Sequence, residues 1–375
     1  MENMVIIKKD FWLNKRVLIT GHTGFKGSWL LVWLNMLGAD VYGISLSPLE
    51  GKSLFTEITN KNSLSKDYFV DIRDYEKLKR SINEINPDIV FHLAAQPLVR
   101  ESYKDPLETW STNLIGSLNL LESLTIIKNY CAVIMVTTDK VYKNMEWDHG
   151  YRENDQLGGH DPYSASKAAS EFAISSWRDS FCSIDKKGSN LAIASARSGN
   201  VIGGGDWAKD RIFPDVIRSL ENNNKIFIRN PKSTRPWQHV LDPLAGYMLL
   251  AEKLYQTKDL LNKNDKKIFT SAFNFGPNIA SNKTVEFLVS EIIKYWPGSI
   301  KQNNEHDSNQ FHEAEKLHLQ IDKAFNLLNW KPIWNFEFAV ERTVEWYKKL
   351  DEDPNISLDL CTRDIKCYEK SIQIK

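Results

Sequence analysis

The sequence is poor in the features that mark metal, redox and membrane proteins. None of its four cysteines stands in a C-x-x-C pair, so neither a zinc ribbon nor a thioredoxin-like redox site is predicted. The longest apolar stretch, Trp29–Leu37, is broken by Asn35 and is too short to cross a bilayer. Because the sequence shows neither a disulfide framework nor a signal peptide, we expect a cytoplasmic protein without a metal and without a membrane partner.

The sequence also carries no net charge, because its acidic and basic residues balance. The 375 residues include 48 lysines and arginines and 48 aspartates and glutamates, so the formal net charge is zero. Proteins whose main partner is nucleic acid or an anionic membrane carry a positive excess, and we expect neither partner here. The balance still allows a local basic pocket for a small phosphorylated ligand.

Short β-branched apolar runs alternate with helical patterns in the first half of the chain. Continuous apolar runs are typical of parallel strands that are covered on both faces. Six strands are predicted, at Arg16–Thr20, Val41–Ile44, Tyr68–Val70, Asp88–Leu93, Ala132–Val136 and Asn190–Ala196, with Phe269–Phe275 as a candidate seventh. Helices are predicted at Gly27–Leu37, Tyr75–Ile85, Pro106–Ile127, Tyr163–Trp177 and Phe336–Leu350. This alternation indicates an α/β fold with a Rossmann-like doubly wound parallel sheet, which binds ligands at the carboxyl ends of its strands.

The strongest local motif is a glycine-rich turn between the first predicted strand and the first predicted helix. It reads Thr20-Gly21-His22-Thr23-Gly24-Phe25-Lys26-Gly27, with three glycines spaced three residues apart. Glycine permits the tight turn and lets the backbone approach a pyrophosphate, and the start of a helix attracts negative charge. The motif therefore predicts a dinucleotide site.

The choice between NAD and NADP stays open in the sequence. An acidic residue at the end of the second strand is the usual signal for NAD, but that strand runs through Ser45 with no acid before Glu50. No arginine stands there to bind a 2′-phosphate. Asp71, after the third strand, is a candidate for the adenine end, and its alternative role is to cap the following helix.

Tyr163 and Lys167 form a second motif. Residues four apart share one face of a helix. A lysine cation beside a phenol stabilises the phenolate and lowers a pKa that is normally about 10. We therefore expect Tyr163 to act as a base toward a sugar or alcohol hydroxyl, the alternative being an ordinary pair on a helix surface.

The third motif, Thr137-Thr138-Asp139-Lys140-Val141-Tyr142, follows the fifth predicted strand at the edge that faces the cofactor. The Thr138 hydroxyl can hold the reacting alcohol beside the Tyr/Lys pair. Simple hydride transfer needs no further carboxyl and amine, so Asp139 and Lys140 favour an additional proton-transfer step. The alternative is a turn with a capping aspartate and a solvated lysine.

Together these motifs resemble those of the extended short-chain dehydrogenase/reductases. The glycine motif, His92–Ala95 and the Tyr163/Lys167 pair carry that resemblance, and Thr138-Asp139 is similar to the nucleotide-sugar 4,6-dehydratases. Four segments look most like the dehydratases that act on CDP-glucose, namely Thr137–Lys140, Arg197–Trp207, Arg235–Pro243 and His312–Ala314. Where the dTDP-glucose enzymes carry glutamate after the Thr-Asp pair, this chain has Lys140.

The resemblance implies an NAD-dependent lyase whose substrate is CDP-glucose. The implied catalytic residues are Thr138, Asp139, Lys140, Tyr163 and Lys167. The implied cofactor-binding residues are Gly21, Thr23, Gly24, Phe25, Lys26, Gly27, Ser45, Asp71, Ile72, Leu93, Ala94, Ala95, Thr137, Tyr163 and Lys167. The implied substrate-binding residues are Gln96, Asn200, Trp207, Arg211, Arg235, His312 and Glu313. The Gly203–Asp206 loop is expected near the diphosphate, with Arg211 and Arg235 as its guanidinium partners.

The resemblance also bears on organisation and partners. It implies an NAD-binding domain at residues 1–197 and a smaller nucleotide-sugar-binding domain at 198–375, and leaves open whether residues 236–260 rejoin the first. It implies a homodimer or higher homo-oligomer built on helices 106–127 and 163–177, and deoxysugar supply for a bacterial surface polysaccharide. The alternatives are a dTDP-glucose or GDP-mannose dehydratase, a UDP-sugar 4-epimerase, and a catalytically silent nucleotide-sugar-binding protein.

Overall fold

The computed structural model describes residues 7–48, 51–60, 63–182, 190–259, 263–301 and 316–374. The strands are β1 (Arg16–Thr20), β2 (Asp40–Ser45), β3 (Lys66–Phe69), β4 (Ile89–His92), β5 (Cys131–Val136), β6 (Leu191–Ser198), β7 (Val201–Ile202), β8 (Ile226–Phe227), β9 (Thr234–Pro236), β10 (Gln238–His239), β11 (Ala272–Phe275), β12 (Asn282–Thr284) and β13 (Ile300–Lys301).

The helices are α1 (Lys9–Trp12), α2 (Phe25–Met36), α3 (Leu54–Thr59), α4 (Tyr75–Ile85), α5 (Val99–Lys104), α6 (Pro106–Trp110), α7 (Gly116–Leu124), α8 (Pro162–Phe181), α9 (Ile212–Glu221), α10 (Leu241–Gln256), α11 (Lys263–Phe269), α12 (Val285–Tyr295), α13 (Asp322–Leu328), α14 (Phe336–Glu352) and α15 (Ser357–Ile374). A π-helical turn, Ser111–Ile115, joins α6 to α7, and a 3-10 turn, Asp139–Val141, follows β5. No helix within the described ranges is long and apolar enough to span a membrane.

Seven strands form one parallel sheet in the order β11-β6-β5-β4-β1-β2-β3. Without β11 this is the strand order of a doubly wound nucleotide-binding sheet, which confirms the predicted fold class. All six predicted strands are present, with ends that shift by a few residues. The candidate seventh strand is also present, but it begins at Ala272 because Phe269 ends helix α11. The boundary near residue 197 stays a prediction, although β11 brings residues from the second half into this sheet.

Apolar side chains project from both faces of the sheet into two hydrophobic cores. Val17 and Ile19 of β1 pack into the core formed with α2, α10 and α14, whereas Leu18 packs into the core formed with α4, α7 and α8. Burial on both faces explains why the strands read as continuous apolar runs rather than as alternating ones. The helices cover the faces and leave the carboxyl ends of the strands together at one edge.

The C-terminal helix α15, which was not predicted from the sequence, packs on the outer side of α2. Trp33 Nε1 of α2 donates to Glu369 Oε1 at 2.8 Å, and Tyr368 OH donates to Asp242 Oδ1 at 2.7 Å. The first contact ties α15 to α2, whose first turn carries the end of the glycine motif, and the second ties α15 to α10.

Candidate active site

The glycine motif forms the turn between β1 and α2. Gly21 has φ of +75°, and a Cβ there would lie 2.7 Å from the backbone nitrogen of Ala94. A Cβ on Gly27 would lie 2.2 Å from the carbonyl oxygen of Gly21. Gly24, the residue before α2, is exposed, and no side chain caps the helix. A closely packed glycine turn that leads into an uncapped helix start fits the pyrophosphate of a dinucleotide.

A buried hydrogen-bond chain fixes this turn to the end of β4. The Oγ1 atom of Thr20 lies 2.7 Å from Nδ1 of His92, whose Nε2 lies 3.0 Å from Oγ of Ser117. The backbone nitrogen of Ala94 donates to Thr20 Oγ1 at 3.2 Å. Burial lowers the pKa of His92 to about 3, so the ring is neutral at physiological pH. His92 therefore positions Leu93–Ala95 beside the glycine turn, a role that was not predicted.

Two further cofactor candidates meet at the ends of β1 and β2. Thr23 Oγ1 donates to Ser45 Oγ at 3.1 Å, and Ser45 Oγ donates to the Leu46 carbonyl at 2.8 Å. Thr23 is half-buried in the glycine turn and Ser45 is buried. Both residues lie at the sheet edge where the sequence predicts the cofactor.

Asp71 lies just after β3, where its carboxylate accepts hydrogen bonds from Arg73, including one from Nε at 2.9 Å. These bonds lower the pKa of Asp71, which keeps it ionised. The alternative role as a helix cap is wrong, because Asp74 caps α4 by accepting from the Lys77 backbone nitrogen at 3.1 Å. The neighbouring Ile72 is buried against Gly116.

Lys26 reaches from the glycine motif toward β6. Its Nζ donates to Ser198 Oγ at 2.8 Å and to Tyr247 OH at 3.4 Å. Burial and, to a smaller extent, the nearby charge of Arg211 lower the pKa of Lys26 to about 7. Lys26 thus lies between the cofactor turn and the second half of the site.

Tyr163 and Lys167 lie in the first two turns of α8. Asp161 caps this helix by accepting from the Ser164 backbone nitrogen at 3.0 Å, and Pro162 occupies its first position. This cap fixes where the helix begins and so places Tyr163 at the sheet edge. The two side chains are 9% and 5% exposed, so the alternative of a surface pair is wrong.

Burial dominates the protonation of both groups. It raises the pKa of Tyr163 to about 12, against the lowering effect of a hydrogen bond with Thr138. It lowers the pKa of Lys167 to about 8, against the raising effect of the Glu171 carboxylate. The predicted lowering of the Tyr163 pKa is therefore wrong, because desolvation outweighs the favourable contacts and Lys167 Nζ donates to the Val136 carbonyl at 3.4 Å.

The Thr-Asp-Lys segment forms the 3-10 turn that follows β5. Thr138 Oγ1 donates to Asp139 Oδ1 at 3.0 Å and accepts from the Lys140 backbone nitrogen at 3.3 Å. Asp139 is 1% exposed, and its Oδ2 has no hydrogen-bond partner within the described part of the chain. Burial raises the Asp139 pKa, which favours the neutral acid. The alternative of a capping aspartate is wrong, since Thr138 is the cap.

Two arginines approach this cluster from the second half of the chain. Arg211 donates to Asp206 Oδ2 at 2.9 Å and interacts electrostatically with Tyr163. Arg235, in β9, donates through Nη1 to the Thr234 carbonyl at 2.8 Å, and its charge acts on Asp139. Both guanidinium groups therefore lie within electrostatic reach of the residues predicted to be catalytic.

The glycines of the Gly203–Asp206 loop are buried, and the approach of this loop to a diphosphate stays a prediction. A Cβ on Gly204 would lie 1.9 Å from the Trp346 ring, and Trp29 Nε1 donates to the Gly204 carbonyl at 2.9 Å. A side chain at any of the three glycines would collide with its neighbours, because Val240 lies 2.9 Å from the Cβ position of Gly203 and Leu54 lies 2.7 Å from that of Gly205. The loop contributes through Asp206, which holds Arg211.

The remaining substrate candidates are spread around the site. The Trp207 ring is half-buried, with Lys52 Nζ 4.4 Å from its centroid. Asn200 follows β6 and is half-buried. His312 and Glu313 lie outside the described residues.

Gln96 is hydrogen-bonded to Asn113, a residue that was not predicted to belong to the site. Asn113 is buried in the π-helical turn, where its Oδ1 accepts from the Gln96 backbone nitrogen at 2.9 Å and its Nδ2 donates to Ser166 Oγ at 2.9 Å. A π turn often marks a functional position in a helix. The only signal in the sequence is a polar residue inside the apolar pattern of residues 106–127.

Comparisons with known proteins agree with this geometry. The family model for GDP-mannose 4,6-dehydratase matches residues 18–343. CDP-glucose 4,6-dehydratase of Salmonella typhimurium is 48% identical over 92% of this chain and 93% of its own length. The dTDP-glucose 4,6-dehydratase of Haemophilus influenzae is 25% identical over 88% of this chain and 97% of its own.

Among solved structures, dTDP-glucose 4,6-dehydratase of Bacillus anthracis in complex with NAD superimposes with a TM-score of 0.71. The match covers 91% of this chain and 98% of that one at 20% identity, and it supports the fold. Because the family model and the 48% identical relative both span most of the sequence, the chain belongs to the nucleotide-sugar 4,6-dehydratase family of extended short-chain dehydrogenase/reductases.

Proposed function

We propose that the chain is a CDP-glucose 4,6-dehydratase, which converts CDP-D-glucose to CDP-4-dehydro-6-deoxy-D-glucose and water. The observation that carries this proposal is the buried Asp139 carboxyl, whose Oδ2 has no hydrogen-bond partner among the described residues. The same turn places Thr138 beside Tyr163. A 4-epimerase needs only a base and a hydride acceptor. Loss of water needs an acid as well, and Asp139 supplies one. The 48% identical relative carries the CDP-glucose name and supports the choice of substrate.

The cofactor of this proposal is NAD. The residues that would hold it are the glycine motif with Thr23, Phe25 and Lys26, then Ser45, Asp71, Ile72, Leu93–Ala95 and Thr137. Bound by these residues, NAD would supply hydride chemistry, as the acceptor of the C4 hydride and its donor at C6. Since the two transfers cancel, the overall reaction needs no external reductant, and turnover should release no net NADH.

Tyr163 is the proposed base toward the C4 hydroxyl. Thr138 holds that hydroxyl and hydrogen-bonds to the phenol. Lys167, with a pKa of about 8, carries its proton at neutral pH and places a positive charge on the same helix face. This charge favours the phenolate as the proton leaves the sugar oxygen.

Asp139 and Lys140 carry the proposed elimination. The C4 ketone acidifies the C5 proton, and water then leaves from C6. A neutral Asp139 donates the proton that the departing C6 hydroxyl needs, in line with its raised pKa. Lys140 lies next to it at the half-buried end of the turn, and we assign it, as the neutral amine, to receive the C5 proton and become the ammonium ion.

In this proposal, residues of the second half of the chain make most of the contacts with the sugar nucleotide. Arg211 and Arg235 are the proposed diphosphate partners, because a guanidinium can form paired hydrogen bonds with phosphate oxygens. Gln96, Asn200 and Trp207 are assigned to the sugar and the nucleotide. His312 and Glu313 are proposed at the nucleotide end from sequence resemblance alone.

The test is a panel of CDP-glucose, dTDP-glucose, UDP-glucose and GDP-mannose with detection of the 4-keto product. We expect CDP-glucose to give the highest kcat/KM. A higher value for dTDP-glucose would overturn the cytidine assignment. Formation of a C4 epimer without a 4-keto sugar would instead indicate an epimerase, and no turnover with any of the four would favour a binding protein.

The proposed assembly is a homodimer built on the helices around α6 and α8. Leu107, Phe172 and Ile115 are 80%, 62% and 48% exposed, a large exposure for apolar side chains on three segments that contact one another. The same face of a second copy would bury them. We expect light scattering to give the mass of two chains, and Phe172→Glu to give the mass of one.

The proposed compartment is the cytosol. All four cysteines are free thiols, as is usual in a reducing compartment. Fractionation of cells that produce the protein would test this, and recovery in a membrane or secreted fraction would contradict it.

A further inference from the structure

Helix α8 carries a third buried ionisable residue on the face of Tyr163 and Lys167. Glu171 follows at the same four-residue spacing, and it is 4% exposed. A buried carboxylate is costly unless it is paired and hydrogen-bonded. The proposed chemistry gives Glu171 no direct part, so its burial needs another explanation.

The partners of Glu171 come from two strand ends. Its Oε1 accepts from Thr137 Oγ1 at 2.5 Å, and its Oε2 accepts from Ser195 Oγ at 2.8 Å. Arg197 Nη2 donates to the same Oε2 at 2.8 Å. Because Thr137 directly precedes Thr138, this carboxylate ties α8 to the segment that supplies the partner of Tyr163.

Arg197 is itself held firmly. Its Nη1 donates to Tyr142 OH at 2.7 Å and to the Glu153 carbonyl at 2.9 Å. Tyr142 OH in turn donates to Asn274 Oδ1 at 2.8 Å. The carboxylate is thus anchored to β6 and β11 as well as to the Thr-Asp-Lys turn.

The charge of Glu171 also acts on Lys167. Burial lowers the pKa of Lys167, and the Glu171 carboxylate is the group that opposes this. The other ionisable groups that face Lys167 give it no negative charge. Tyr163 and His92 are neutral near pH 7, and Lys26 of α2 is a competing cation. Arg197 faces Glu171 from β6 and keeps the carboxylate ionised.

We propose that Glu171 is a positioning residue of the active site, which locks α8 onto the ends of β5 and β6 and supplies the negative charge that faces Lys167. This inference rests on the proposed function, in which Lys167 must stay charged beside Tyr163. Glu171 touches neither the sugar nor the cofactor. It acts through Lys167 and Thr137.

The experiment measures kcat and KM for CDP-glucose across pH in the full-length Glu171→Gln variant, with NAD supplied. Glutamine keeps the size and an acceptor but removes the charge. We expect the alkaline limb of the kcat profile to move to lower pH by about one unit, the usual effect of one nearby charge, while KM stays unchanged. The sign follows from Lys167, which loses its proton at lower pH once the carboxylate charge is gone.

Two further variants separate positioning from stability. If the unpaired charge of Arg197 prevents Glu171→Gln from folding, the double variant Glu171→Gln/Arg197→Gln removes both charges. It is expected to shift the profile in the same direction but by less, because the opposing charge of Arg197 is removed as well. Asp364→Asn breaks a different ion pair, which Asp364 of α15 forms with Arg342 of α14. This variant is expected to lower the unfolding temperature without moving the pH profile of kcat.

A folded Glu171→Gln or double variant whose kcat profile superimposes on that of the unmodified protein would overturn the inference. A uniform loss at every pH would do the same, because it would reflect stability alone. If the unmodified protein gives no turnover with CDP-glucose, the proposed function fails, and this inference fails with it.

Discussion

A methyl group on Gly199 would lie 2.5 Å from Oδ2 of Asp139. It would also lie 3.3 Å from Cγ of Pro236, so the methyl group would be confined between Pro236 and the carboxyl. The absence of a side chain at residue 199 thus creates the space that the proposed acid occupies. The oxygen that faces this space is the one without a hydrogen-bond partner among the described residues.

Gly199→Ala should therefore impair elimination more than oxidation at C4. A displacement of the acid by about 1 Å can cost up to ~10²-fold in rate. We expect the variant to accumulate reduced nicotinamide with CDP-glucose while releasing little 4-keto-6-deoxy product. Gly158→Ala is the matched control, since its methyl group would make ordinary van der Waals contact with Lys143, whose Cβ is the nearest atom at 3.4 Å. Equal loss in both half-reactions would contradict a specific effect on Asp139.

Tyr163→Phe keeps the ring and removes the proposed base. We expect the rate of nicotinamide reduction to fall by ~10²–10⁴-fold, the usual contribution of a general base, with no change in fold. Stopped-flow absorbance of the reduced nicotinamide would measure it. Tyr130→Phe, which removes a hydroxyl paired with Thr257 at 2.7 Å, is the control and should stay active. Near-native reduction by Tyr163→Phe would remove Tyr163 from the mechanism.

Lys140→Met tests the proposed acceptor of the C5 proton. The variant should still oxidise C4 but should incorporate little solvent deuterium at C5, as measured by mass spectrometry of the recovered sugar. Lys143→Met, on an exposed lysine three residues further, should behave as the unmodified protein. Normal exchange and elimination in Lys140→Met would mean that another group takes the proton.

Arg235→Lys keeps the positive charge but cannot form paired hydrogen bonds with a diphosphate. We expect KM for CDP-glucose to rise about tenfold, equivalent to the loss of one charge-assisted hydrogen bond, with kcat less affected. Arg80→Lys on α4, whose Nε donates to the Glu76 carbonyl of the same helix, should leave KM unchanged. An unaltered KM in Arg235→Lys would place the diphosphate elsewhere.

Glu252 links stability to pH. It accepts from Trp12 Nε1 at 2.8 Å, and burial raises its pKa to about 7 from 4.5. A carboxyl with a raised pKa favours the folded state below pH 4.5 and loses that contribution as the pH rises to about 7. Glu252→Gln should therefore gain stability relative to the unmodified protein between pH 5 and pH 8, by up to ~3 kcal/mol in urea unfolding. A constant difference across this range would show that Glu252 does not titrate in the folded protein.

The parts of the site that follow local spacing were predictable. The pair Tyr163 and Lys167 needs only the helical repeat, and the strands needed only continuous apolar runs. Glu171 and Asn113 were missed because their partners are distant in sequence, with Arg197 26 residues and Ser166 53 residues away. Burial likewise has no local signal, which is why the direction of the Tyr163 pKa shift was wrong.

The position of β11 has a consequence for synthesis on the ribosome. Strands β1 to β6 can assemble once residue 198 has emerged, but the outer edge of β6 waits for residues 272–275. Until then the nascent chain presents one unpaired edge of β6, a strand whose eight residues are all buried in the complete fold, as a template for pairing with another copy. Nascent chains that stall between residues 198 and 272 therefore expose this strand edge for longest, and they need a chaperone most to prevent aggregation.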